Sequence, residues 1–296
     1  MEWPTVGVAV AIATGFAAVL TGHESVPTAV VVGALAVLGC WYNSLQHEVI
    51  HGHPTPWRAL NTALAAAPVG LVVPFAVYRK IHLAHHRVDP LTDPDLDPES
   101  FYVSAAKWAR CGPVRRAGLR AMSTLAGRIV LGPPVGAVRW WHRILADRSP
   151  GGVARAAAHL GAVGLILVAV RAAGLPVWVY LVGVVWGGGA LTLIRSFAEH
   201  RRVDSGTPSA VVRSGWFFSL LFLNNNLHHT HHARPGVPWY ALPDLHARLD
   251  GDRVAAAGAG LYRGYGEIAR EYLFRPFDEL VAPAAAETTA ITSAPG

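Results

Sequence analysis

The chain has 296 residues, 52% of them hydrophobic and only 15% charged, with a formal net charge of +6. So much apolar material with so few charges excludes an ordinary water-soluble domain and requires lipid as part of the solvent. Two cysteines, Cys40 and Cys111, exclude a disulfide framework or a four-thiolate iron–sulfur site. The basic residues mark loops rather than a recognition motif, which argues against a nucleic-acid partner.

Taken in chain order, the first apolar run covers about 3–21. No Lys or Arg precedes it and it is too long for a signal-peptide core, so it reads as a retained membrane helix. A second run at about 27–46 completes a hairpin. Residues 58–77 are also apolar, but Pro68, Gly70 and Pro74 interrupt them. A crossing here would put the next histidine group on the wrong side, so this segment reads as re-entrant or interfacial. Runs at about 153–173 and 175–194 form a second hairpin. Residues 79–155 and 195–280 hold nearly all the Lys and Arg, which the positive-inside rule assigns to the cytoplasm together with both termini. Residues 282–296 are small and polar, with two prolines, and are expected to be disordered. The expected architecture is therefore one all-α integral membrane domain over 1–281: four transmembrane helices in two hairpins, carrying a cytoplasmic helical cap.

Eleven of the fifteen histidines fall in four short groups. His47-Glu-Val-Ile-His51-Gly-His53 ends the second run, and His82-Leu-Ala-His85-His86 follows the interrupted segment. His200 closes the fourth run, and His228-His229-Thr-His231-His232 comes last. Positions i, i+3 and i+4 share one helical face, so His82, His85 and His86 project together, as do His228, His231 and His232. With His47, His51 and His200 they make nine imidazoles facing one site. That exceeds what one ion can use and implies two metals, although imidazole alone suits zinc, copper, iron and nickel alike. His53 and His229 lie off the shared faces and are expected to support rather than ligate. His23, His142, His159 and His246 are expected to be interfacial or satisfied by hydrogen bonds.

The three boxes HEVIH, HLAHH and HHTHH, with Asp93-Pro-Asp-Leu-Asp-Pro98 and Pro238-Trp-Tyr-Ala-Leu-Pro243, resemble the membrane fatty acid desaturase and hydroxylase superfamily over roughly 25–245. The third box with its Pro-Trp tail is most similar to carotenoid ketolases. The resemblance implies two Fe ions held by the nine histidines, with no catalytic residue separate from the ligands. It also implies O2 as co-substrate and two electrons from a separate ferredoxin- or rubredoxin-type carrier and its reductase. Desaturation of a fatty acyl chain is the expected reaction; carotenoid ketolation or hydroxylation, or hydroxylation of an alkane or other lipid, are the alternatives on the same site. In some relatives an Asn one turn before the extra histidine holds a water. Here Ser196 stands there, and Asn225 or Asn226 is the candidate replacement.

Glu48 and Glu199 are expected to accept the free ring N–H of ligand histidines. Asp89, Asp93, Asp95, Asp97 and Glu99 read as a solvated loop. Trp41, Tyr42, Phe75, Tyr78, Phe197 and Trp239 are candidate walls of a substrate tunnel. A rival class is the zinc peptidase, in which HEVIH binds one zinc and Glu48 is the general base, but it leaves the second and third boxes without a role. A metal transporter would place its histidines within the spans rather than after them.

Overall fold

A computed structural model describes residues 1–282. Among the described residues, four helices are each long and apolar enough to cross a membrane. Helix α1 (Trp3–Gly22) turns through His23–Ser25 into α2 (Thr28–Ile50). Helix α8 (Pro150–Ala172) leads back into the rod Val177–Phe197. Val10, Val30, Leu165, Val168 and Trp178 are exposed on these helices, as lipid-facing residues should be. The expected pair of hairpins is present, with the last helix extending to Phe197. Only two-residue strands occur among the described residues, in two parallel pairs: β1 (Val103–Ser104) with β4 (Val281–Ala282), and β2 (Val211–Val212) with β3 (Leu261–Tyr262). Ala282 pairs with Ser104; the rest of the expected disordered tail lies outside the described residues.

The rod 177–197 is not uniform. It comprises α9 (Val177–Tyr180), a π-helical stretch (Leu181–Gly188) and α10 (Gly189–Phe197). Glycines let the π-helical stretch press against α2. A Cβ on Gly183 would stand 2.6 Å from Leu35 Cβ, and one on Gly187 2.8 Å from Ala36 Cβ. Small residues at such crossings give membrane helices the close contact that lipid itself does not enforce. Gly183→Val is expected to destabilise the detergent-solubilised protein by about 1–3 kcal/mol through overpacking, seen as a lower Tm. An unchanged Tm would contradict the contact.

Between the hairpins, residues 58–77 form no continuous helix. Helix α3 (Arg58–Ala65) gives way to an irregular link holding Pro68, Gly70 and Pro74, and α4 (Phe75–His85) starts directly after Pro74. The later connection contains a long helix with no counterpart in the sequence reading. Helix α6 (Pro113–Met122) meets α7 (Leu125–Ala146) at 116°. Pro133 and Pro134 lie inside α7 and, with its arginines, keep it from reading as an apolar run. It exposes Val130, Leu131, Val138 and Leu145. Its Gly132 lies against Leu193 and its Pro133 against Gly189, so it packs on α10.

The cap follows α10. Helices α11 (Trp216–Leu221), α12 (His228–Ala233), α13 (Leu242–Arg248), α14 (Gly251–Ala256) and α15 (Tyr265–Tyr272) are short. A buried cluster that includes Phe197, Phe222, Tyr262, Tyr265, Ile268 and Phe277 joins the end of α10 to the cap. This packing fixes where the third box sits.

Candidate metal centre

Each histidine box lies at a helix end that the fold holds firmly. His47 is in the last turn of α2, and His51 caps it. His82 and His85 are in the last turn of α4, and His86 caps it. His200 follows α10 and bridges to Ser209. The third box forms α12, entered through two consecutive left-handed residues, Leu223 (φ 49°) and Asn224 (φ 54°). That conformation is costly for leucine. It is held by the Asn224 backbone N–H on Ser219 O (2.8 Å) and by its side chain on Trp239 O (2.9 Å).

The nine imidazoles come together, in two groups rather than one. His47, His51, His82, His86 and His231 form the first, and His85, His200, His228 and His232 the second. Within each box the i, i+4 pair enters one group and the remaining residue turns to the other: His82 and His86 against His85, and His228 and His232 against His231. Residues i and i+4 are about 40° apart around a helix while i+3 lies on the opposite flank, so one box can serve two positions. The groups touch where the His86 and His232 rings stack at 4.2 Å.

The donor set fits metal ions. Nε2 atoms face one another at 3.1 Å (His51–His82), 3.0 Å (His86–His82), 3.1 Å (His231–His86), 3.1 Å (His85–His200) and 2.9 Å (His228–His200). Two imidazoles bound at right angles to one ion by bonds of roughly 2.0–2.1 Å would be about 3.0 Å apart. The His232 Nε2 is buried with no hydrogen-bond partner, which is costly unless a cation serves it. Burial, reinforced by neighbouring rings, lowers His51 to about 2 and His86 and His200 to about 3. The same causes hold His228, His231 and His232 well below the ordinary histidine value. These six are neutral at pH 7, the form that ligates metal.

The opposite ring nitrogens are held by protein. The His85 Nδ1–H meets Asp97 Oδ1 at 2.8 Å, and both side chains are buried. Burial works most strongly against charge on His85, but the Asp97 hydrogen bond and the negative charges of Glu99, Asp97 and Glu199 together outweigh it and raise the ring, while the His85 contact lowers Asp97 against its own burial. His82 Nδ1 meets Glu99 at 3.2 Å and His228 Nδ1 meets Asn225 Oδ1 at 3.1 Å. Ser209 Oγ is 3.2 Å from His200 Nδ1. Such partners fix the tautomer and the ring orientation of a ligand histidine.

Asp97 and Glu99 therefore differ from the solvated loop read from the sequence. They cover α4, and Asp97 is buried because its two oxygens also accept the backbone N–H groups of Glu99 (2.9 Å) and Thr92 (3.0 Å). The Asp-Pro-Asp-Leu-Asp-Pro spacing was the available signal. Ser209 had none, because it reaches His200 only through a bridge made in three dimensions.

Of the other candidates, Glu199 lies beside a ring of the centre and the rest are engaged elsewhere. Glu48 accepts the Trp239 backbone N–H (3.1 Å) rather than a ligand ring. Glu199 pairs with Arg195 at 2.8 Å, accepts from Asn225 at 3.3 Å and lies 3.4 Å from His228 Nδ1. Asn226 donates to Val212 O (2.9 Å) and supports the backbone. His53 and His229 are outside both groups, bonded to Glu2 (2.7 Å) and Thr207 (3.1 Å).

A cavity of about 440 Å³ reaches the centre, with His82, His200 and His228 in its wall. Tyr78, Phe197 and Ser196 line it; Trp41, Tyr42, Phe75 and Trp239 do not. Helix α2 presents Asn43 and Gln46 to the cavity instead. The neighbouring Tyr42 turns away, its hydroxyl donating to Ala67 O (2.8 Å). Phe75 packs among Val49, Ile50 and Ala65, and the Trp239 indole donates to Thr5 (3.2 Å).

Two largely buried histidine-only groups beside four apolar helices define a membrane protein with a candidate metal centre. The chain belongs to the fatty acid desaturase family, whose model matches residues 24–263. No curated protein matches it significantly. Membership makes the chain an oxidoreductase of the membrane desaturase and hydroxylase type.

Proposed function

We propose that the two histidine groups hold two iron ions, and that the protein uses O2 and two external electrons to oxidise an unactivated C–H bond of a lipid, most simply by desaturating a fatty acyl chain. The observation that carries this reading is the division of nine buried or half-buried imidazoles into groups of five and four, each with converging nitrogens. Bound iron would supply O2 activation. The chain's own residues hold the ligands and shape access. Asp97, Glu99, Asn225 and Ser209 orient four rings. The apolar wall formed by Ile81, Val184, Val185 and Leu193 would receive a hydrocarbon chain and keep water from a reactive site. Carotenoid ketolation or hydroxylation, or hydroxylation of an alkane or other lipid, would use the same centre with a differently placed carbon. Use of HEVIH as a peptidase site finds no support, since Glu48 is engaged by Trp239 and belongs to neither group.

The basic loops orient the centre and the N-terminus toward the cytoplasm, where a small iron–sulfur carrier and its reductase would deliver electrons. Elemental analysis of protein purified in mild detergent from iron-replete cells is expected to give about two irons per chain. One zinc per chain, retained when His232 is replaced, would overturn the reading.

A further inference from the structure

The molecule contains two buried arginines, and they are treated differently. Arg195 has a carboxylate beside it, Glu199 at 2.8 Å. Arg128, only 5% exposed on α7, joins no ion pair among the described residues. Its Nε–H donates to Met122 O (2.8 Å), and its guanidinium carbon lies over the Phe101 ring, 3.6 Å from the centroid. Its Nη1 is buried with no hydrogen-bond partner. A guanidinium carries five N–H donors and cannot shed its charge, so a buried one with a single hydrogen bond is incompletely satisfied.

Arg128 also lines the cavity that reaches the histidine centre. Its guanidinium is 5.5 Å from the Phe197 ring, at the end of α10 that leads into His200. From there the wall runs back along the rod past Leu193 to Val185 and Val184. Thirteen steps along the rod, from Phe197 to Val184, cover at most about 20 Å at the α-helical rise. The cavity wall thus holds one buried unpaired cation, Arg128, beside the exposed Arg139 and Arg143 and the carboxylates of Glu99 and Asp278, with an apolar stretch leading away along the rod. An amphiphile with an anionic group matches this arrangement; an uncharged hydrocarbon leaves the arginine unanswered.

We propose that Arg128 binds the anionic group, a carboxylate or phosphate ester, of an amphiphilic substrate whose hydrocarbon chain lies along α10. This rests on the lipid-oxidase reading and narrows its substrate class to charged lipids. Arg128 is then a specificity-determining residue, not a metal ligand. The fork of a guanidinium suits either anion, so carboxylate and phosphate share one recognition chemistry.

The test is equilibrium binding to the iron-loaded protein in an uncharged detergent, using four probes of one chain length: palmitate, hexadecyl phosphate, methyl palmitate and hexadecanol. At least one anionic probe is expected to bind about tenfold or more tightly than its uncharged counterpart, a typical return for a charge-assisted contact. Whichever anion does so names the source. Arg128→Gln should remove most of that preference, leaving binding of the uncharged probes and iron content unchanged, while Arg128→Lys should retain part of it. Equal binding of charged and uncharged probes by the unaltered protein would overturn the proposal without recourse to any variant. So would an anion preference undiminished in Arg128→Gln. Because iron content is measured separately, either failure leaves the oxidase reading standing, whereas absence of iron would fall on that reading.

Discussion

His228→Ala is expected to cut metal content from about two ions per chain to about one and to abolish oxidation. His228 belongs to the group of four, and its loss leaves His85, His200 and His232. Structural sites with four ligands gain on the order of 10–16 kcal/mol from the metal, or roughly 3 kcal/mol per ligand, so removing one weakens retention by about 100-fold. His51→Ala provides the contrast, because it leaves four imidazoles in the group of five. That variant should retain close to two ions when loaded with excess metal and release one of them to a chelator sooner than the unaltered protein. Elemental analysis before and after dialysis against a graded chelator separates the two. Identical loss in both variants would refute the five-and-four division, and no loss in either would refute ligation. Membrane insertion should survive both changes, because it depends on the apolar helices rather than on this buried polar centre.

The fold was legible wherever a single element declared itself. Apolar runs gave the four long helices, and the histidine boxes, with His200 at the end of the fourth run, gave every member of the two groups. Local spacing could not sort those histidines, because a ring's partner is decided by the opposing box. His231 joins His86 at 3.1 Å only when the cap closes over α4. The same reasoning applies to α7. Two prolines and its arginines argue against a span when read along the chain, yet one side of the helix packs on α10 while the other exposes valine and leucine. Of the six aromatic candidates, Tyr78 and Phe197 line the cavity, and Trp41, Tyr42, Phe75 and Trp239 lie off it for a related reason. Aromatic residues near a membrane boundary serve packing as readily as substrate, and α2 directs the polar Asn43 and Gln46 at the cavity instead. Acidic loop residues were the hardest to read, since a carboxylate beside prolines is usually solvated and nothing local distinguishes Asp97 from the exposed Asp95.

That difference between two neighbouring aspartates yields the second large effect. Asp97 accepts from His85 and from the backbone N–H groups of Thr92 and Glu99, so its carboxylate fixes both a ligand ring and the loop that covers it. Asp97→Ala is expected to weaken metal binding by about 10–100-fold, as loss of such a partner does elsewhere, and to lower stability by about 1–3 kcal/mol through the buried donors left unpaired. Asp97→Asn should be only partly tolerated. If its amide oxygen serves His85, its amide N–H₂ is turned toward the Thr92 N–H, setting donor against donor. The loss should fall on the group containing His85, so metal content should tend toward one per chain as it does for His228→Ala. Asp95→Ala, at an exposed position paired only with Lys107, should leave metal content and Tm unchanged. Metal content and Tm measured on all three variants decide the matter. If Asp97→Ala matches the unaltered protein in both, the His85 ring is held by packing alone and the carboxylate has no part in the centre.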